Sequence, residues 1–210
     1  FSLDYGNATV GGYTDDWLQI MQTQAFDLST ATTAELNFWF RLRCEDAGGG
    51  RDWDGANVWV FYGDDENNLT QEIMTPTAPA YTATDLFAFE QYFPNIDQTP
   101  GWEGTDSGFS TTYTQATFDL SSYVGNSVVK IGIAFASDPA TNSDDDVTLF
   151  GFQVDDIEIT ADATVVWADD ADGNNTGGAP DFISGWAGSS FPVLPQKLEV
   201  TDLGTDAYSG

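Results

Sequence analysis

The chain has 210 residues, with 34 Asp and Glu against 5 Lys and Arg, a formal charge of −29 and no histidine. Nucleic acid is excluded as a partner, because neutralising phosphate needs Lys and Arg, and anionic membrane surfaces are disfavoured for the same reason. Without histidine this stretch of chain has no Ser-His-Asp or Cys-His triad, no HExxH zinc site and no imidazole acid-base chemistry. Hydrophobic residues at 41% and aromatics at 14% are ample for a core, so the composition fits one large domain, or one domain plus a piece of another. Cys44 is the only cysteine, which leaves no intrachain disulfide and reads as a small residue at a strand end. No apolar run reaches the length of a membrane span, so membrane insertion is not expected. The sequence opens at Phe1 without a Met or a visible leader, and is expected to be a processed piece of something longer.

In chain order, residues 17–25 alternate Leu18 and Ile20 against Gln19 and read as a strand. The tetrapeptide Phe26-Asp27-Leu28-Ser29 closes that segment, and Phe118-Asp119-Leu120-Ser121 repeats it later. In both, the Asp side chain can accept a local backbone N–H and cap the turn. Residues 35–43 follow, with Leu36, Phe38, Phe40 and Leu42 on one face and Asn37, Trp39, Arg41 and Arg43 on the other. Strict period-two alternation is the pattern of a half-buried strand. A loop rich in Gly and Asp, 45–55, leads to a strand at 56–62. Residues 64–112 look mostly irregular, with four prolines and an aromatic cluster of Phe87, Phe89, Tyr92 and Phe93. So long a connection in a compact domain suggests a functional insertion. Strands are expected at 113–118 and 128–136, then an acidic loop through Asp144-Asp145-Asp146. A strand at 147–154 is interrupted by Asp155-Asp156 before 157–159 closes the run. Many short strands separated by Gly, Pro and Asp turns indicate an all-β antiparallel sandwich. After residue 160 come strands at 164–167 and 197–200 around a polar loop at 169–175. Residues 161–210 are either extra strands or the start of a neighbouring β module, and the change of texture favours the second.

The acidity has two readings. Most carboxylates suit a solvated surface whose self-repulsion is screened by salt. A handful can converge on calcium, a hard cation that prefers oxygen ligands. Asp155 and Asp156 lie between Val154 and Ile157, so alternation turns one of them inward, where a carboxylate needs a partner or a metal. Glu45, Asp52, Asp54 and Asp138 occupy loops that a sandwich can bring to one end. The expectation is one calcium held by Asp54, Asp155 or Asp156, Asp138 and Glu45, with backbone carbonyls completing six to eight oxygens; the alternative is solvated turn residues. The run from Asp169 to Asn174 lacks EF-hand spacing, and Asp144-Asp145-Asp146 reads as a solvated loop. For carbohydrate binding the candidates are the outward-facing Trp39 and Trp59, if they share a face with Arg41, Arg43 or Asn57, and the loop residues Trp53 and Trp102. The competing role for each ring is packing under the insertion or against a neighbouring domain, which weighs more for any single one. A carboxylate pair can hydrolyse glycosides without histidine, but with 34 acids no spacing singles one out, and no enzyme is expected. Sequons at Asn7, Asn68 and Asn174 are no more than a Thr- and Asn-rich chain yields by chance.

Several of these segments together resemble a family. FDLS before an alternating strand, Asp52-Trp53-Asp54-Gly55-Ala56-Asn57-Val58-Trp59-Val60, Gly101-Trp102-Glu103-Gly104, FDLSSYVGN, residues 131–138 and Gly151-Phe152-Gln153-Val154-Asp155-Asp156-Ile157 are similar to MAM-like jelly-roll modules. Such modules accompany immune-inhibitor-A-type secreted metallopeptidases and occur among the cleaved-adhesin and choice-of-anchor domains of bacterial surface proteins. The resemblance covers roughly residues 13–160 and leaves out residues 64–100 of the insertion. It implies a jelly-roll sandwich, often calcium-stabilised, that serves outside the cell or at its surface as an adhesion or binding module for a glycan or protein surface. The alternatives are a carbohydrate-binding module of a secreted hydrolase and a structural subunit that assembles with copies of itself.

Overall fold

The computed structural model describes residues 2–4, 12–46, 51–104, 108–169, 186–188 and 199–201. In chain order the strands are β1 (Ser2–Asp4), β2 (Leu18–Thr23), β3 (Ala34–Arg43), β4 (Arg51–Asp52), β5 (Gly55–Gly63), β6 (Thr70–Ile73), β7 (Asp85–Leu86), β8 (Trp102–Glu103), β9 (Thr114–Asp119), β10 (Val128–Ala136), β11 (Gly151–Ala161), β12 (Thr164–Asp169), β13 (Trp186–Gly188) and β14 (Glu199–Thr201). One short helix, α1 (Phe87–Glu90), and a 3-10 turn at Ser121–Tyr123 are the helical elements among the described residues. Two antiparallel sheets form an all-β sandwich. The first runs β13-β2-β10-β5-β6, with β8 also on β5, and the second runs β12-β11-β3-β9. The pairs β1–β14 (antiparallel) and β4–β7 (parallel) stand apart from both.

The repeated tetrapeptide ties the two sheets together. Asp27 accepts the Ser29 N–H at 2.7 Å, and Asp119 accepts the Ser121 N–H at 2.8 Å, so both turns are capped as their sequence requires. Phe26 exchanges backbone bonds of 2.9 and 3.0 Å with Val129 of β10, and the Leu120 N–H donates to Ala34 at the head of β3. Each copy is thus pinned to the strand that follows the other copy.

Alternation decides the core. The inward residues of β3 (Leu36, Phe38, Phe40 and Leu42) are fully buried against Ile131, Ile133 and Phe135 of β10 and Phe152 of β11. Trp102 lies among them, 4.4 Å from Phe40 between ring centroids. The opposite face of the first sheet is covered too. Ile20, Trp59, Phe61 and Ala134 pack beneath Leu86, Phe89 and Phe93 of the insertion, which explains why β5 is buried on both faces over most of its length.

The strand expected at 147–154 starts later and ends later than its hydrophobic run. Residues 147–150 belong to a loop, and β11 begins at Gly151, in the left-handed region at φ +79. It continues to Ala161 through Asp155–Asp156, where the register against β3 shifts and Asp156 takes φ +47. An extra residue absorbed as a bulge keeps the ladder going where an interruption was expected. Beyond residue 160, β12 lies along β11 and β13 along β2. The Asp-rich loop after Asp169 and the sequons at Asn7 and Asn174 lie outside the described residues.

Candidate metal centre

Strand pairing gathers four chain segments at one end of the sandwich. Gly55, which opens β5, faces Ala136, which closes β10, and Ala136 also faces Leu18 at the start of β2. In the second sheet Arg43 ends β3 opposite Gly151. Glu45 lies two residues beyond β3, Asp54 one before β5 and Asp138 two beyond β10. Their side chains therefore converge, with one carboxylate oxygen from each lying within 4.8 Å of the others.

The trio is held from several sides. Asp54 is 0% exposed, and its Oδ1 accepts the Asp138 N–H at 2.7 Å. Asp138 caps its own turn by accepting the Ala140 N–H at 2.8 Å. The Tyr13 hydroxyl accepts the Glu45 N–H at 2.9 Å. Tyr13 is anchored by its N–H to Ser143 Oγ at 2.7 Å, and that hydroxyl donates to Leu149 O at 2.5 Å. The Asp16 N–H donates to Asp138 O at 2.9 Å, and Asn142 donates to Asp15 at 2.7 Å. Two oxygens are left over: Asp54 Oδ2 and Glu45 Oε2 are buried and have no hydrogen-bond partner.

Electrostatics sharpen the picture. Burial pushes the Asp54 carboxyl up to about 8; the Asp138 N–H and Tyr13 hydroxyl pull it down, and the charges of Asp138 and Glu45 push it further up. Burial also raises Glu45, with Asp138 and Asp15 adding repulsion, and raises Asp138, with Asp15 and Asp16 adding theirs. The Tyr13 phenol is held far above its ordinary range, first by burial and then by Cys44 and Asp54. The charges acting most strongly on the three carboxylates are other carboxylates. Buried carboxylates without a cation are costly, and a hard divalent ion is the partner that three carboxylate oxygens suit.

The other expected ligands lie elsewhere. Asp155 pairs with Trp39, four residues in from the Arg43–Gly151 end of the sheet, about 13 Å at the usual strand rise. It is fully buried, and its Oδ1 accepts the Asp156 N–H at 3.0 Å. Neither Asp155 nor Asp156 joins the trio.

Two of the four candidate tryptophans, Trp59 and Trp102, take the packing role that weighs more for each ring. Trp102 is sealed in the core, with its Nε1 donating to Pro79 O at 3.3 Å. Trp59 points out of the sandwich as alternation requires, but the insertion covers that face. It is 0% exposed, lies 4.8 Å from Phe93 between ring centroids and donates its Nε1–H to Asn57 at 2.7 Å. Trp53 is half-buried, edge-on to Phe87 at 5.6 Å, and Trp39 is half-buried on the outer face of the second sheet. A sugar ring cannot stack on Trp59 or Trp102 in this arrangement.

Sequence reasoning missed Tyr13 and the Asp15–Asp16 pair. The available signal was two acids and a tyrosine immediately before a strand. Compared with known proteins, the chain matches no protein-family model and no curated protein.

Proposed function

We propose that this chain is a non-catalytic extracellular adhesion or binding module, part of a larger secreted or cell-surface protein, with calcium bound at one end of its sandwich. The observation that carries the reading is the pair of buried, partnerless oxygens on Asp54 and Glu45 beside Asp138. Asp54 has no access to solvent, so the trio suits a small ion rather than a substrate. Glu45, Asp54 and Asp138 would hold calcium, and nearby main-chain carbonyls would complete its shell. Affinity in the range of extracellular modules, Kd of about 10⁻⁴–10⁻³ M, suits such a surface. Jelly-roll connectivity is part of the proposal. It is supported by the chain crossing between sheets from β2 to β3, β3 to β5, β9 to β10 and β10 to β11.

The test is a thermal melt at fixed ionic strength in calcium and in chelator. Calcium at a hundredfold excess over Kd adds about 2.7 kcal/mol to stability. A shift no larger than that from matched monovalent salt rejects the site.

A further inference from the structure

Lys130 meets Glu66 at 2.6 Å, yet among the described residues Arg41 and Arg43 form no ion pair. In a chain with 34 carboxylates and 5 basic residues, this is a notable economy. Both arginines lie on the partly exposed face of β3, two residues apart. Arg41 is gripped without a carboxylate. Its guanidinium stacks over Phe150 at 4.8 Å and Tyr113 at 5.4 Å, and its Nε donates to the buried amide of Gln153. Arg43 has a buried Nε with no acceptor. The Thr148 hydroxyl and N–H, which donate to Asp146 Oδ1 at 2.7 and 2.9 Å, are the larger causes of its lowered pKa, and Arg43 is close enough to be the last of them. The loop 146–150 also supplies Val147, which is 71% exposed.

We infer that this end of the outer face of the second sheet binds an extended peptide segment that carries carboxylates two residues apart. The inference rests on the binding-module reading and names its ligand. Charge is the first argument, because two guanidinium groups with free donors are complementary to carboxylates, each able to take one in a bidentate fork. Spacing is the second. Residues two apart in any strand repeat at about 6.8 Å, so an extended acidic peptide reproduces the Arg41–Arg43 step with its own alternate side chains. Composition is the third: Arg, Tyr and Phe are enriched at protein-binding surfaces, and the ring faces a sugar would need are occupied by Arg41.

The test is calorimetric titration of the chain, without added calcium, at physiological ionic strength, where the screening length is about 8 Å and the field of the −29 charge is short-ranged. The probes are a short peptide alternating Val and Glu, its twin with Gln for Glu, and an oligogalacturonate. The acidic peptide binds and the Gln twin binds at least tenfold more weakly. Arg43→Gln weakens the acidic peptide about tenfold, and Arg43→Lys, which keeps the charge but loses the fork, does not restore it. Arg41→Gln, which also removes the Phe150 and Tyr113 contacts, is read only against its melting curve, whereas Arg43→Gln leaves those contacts in place. Equal binding of the two peptides, unchanged affinity in Arg43→Gln, or binding of the oligogalacturonate alone overturns the inference. So does an Arg43-dependent self-association of the chain without peptide binding. None of these readings depends on the calcium melt, so either idea can fail alone.

Discussion

Replacing Asp54 by Asn should move the protein in opposite directions with and without calcium. In chelator, Asp54 is a buried carboxyl with two carboxylate neighbours within 4.8 Å. At an effective dielectric of 20, each such pair costs about 3.5 kcal/mol when both members are ionised. Proton uptake limits that cost. With the Asp54 carboxyl near 8 in the fold and near 3.8 when exposed, the penalty at pH 7 is about 4 kcal/mol at most. The sign follows from linkage. A raised carboxyl pKa favours the fold fully below 3.8, and that advantage is lost as pH rises through 8. Asn keeps the oxygen that accepts the Asp138 N–H and discards the charge. In chelator at pH 7, Asp54→Asn should therefore melt roughly 10 °C above the parent chain, taking 2–4 °C per kcal/mol for a domain of this size. In calcium the parent chain gains its shift and the variant gains little. Scanning calorimetry of both proteins at one ionic strength measures all four values. If the variant melts lower than the parent in chelator, or keeps the full calcium shift, the buried charge is not what the site is built to neutralise.

Tyr13→Phe removes the hydroxyl that accepts the Glu45 N–H, and should cost about 1–3 kcal/mol by denaturant unfolding while weakening calcium binding. Asp27→Ala and Asp119→Ala each remove a cap whose carboxyl is held below the ordinary range by Ser29 and Ser121. Both should lower the urea midpoint at neutral pH, and the difference from the parent should vanish as pH falls through the depressed folded pKa. Trp59→Ala empties the space beneath Phe93 and should cost about 3–5 kcal/mol by the same unfolding measurement. Protease nicking of residues 85–96 would then report the insertion lifting from the sheet.

What could be read in the sequence is what period two controls. The alternation at 35–43 and the Leu36–Leu42 core face appear in β3, and residues 128–136 form β10 with the expected bounds. Glu45, Asp54 and Asp138 could be placed at one end because each follows or precedes a recognisable strand by one or two residues. Asp155 and Asp156 looked equivalent to them in composition, but their place depends on register. The bulge carries β11 straight past them and leaves them well inside the sheet. Trp59 shows the other limit. Alternation gives its direction and says nothing of what a remote segment lays on top, and the cover comes from residues 86–93, which have no periodicity of their own. Tyr13 reaches the site through a loop held by Ser143, a pairing 130 residues apart that no local pattern encodes.

That separation in sequence also bears on time. Glu45 and Asp54 belong to the first half of the chain and Asp138 to the second, and the bond joining Asp54 to Asp138 spans 84 residues. The exchanged docking of the two tetrapeptides is equally remote, so closing the sandwich requires loops of high contact order to form before any of these contacts is rewarded. Asp138 joins Asp54 only once β10 has paired with β5, so an ion that needs all three carboxylates has no complete site before that step. An ion held there would act chiefly on the reverse step, slowing reopening of that end, as interactions formed late in folding do.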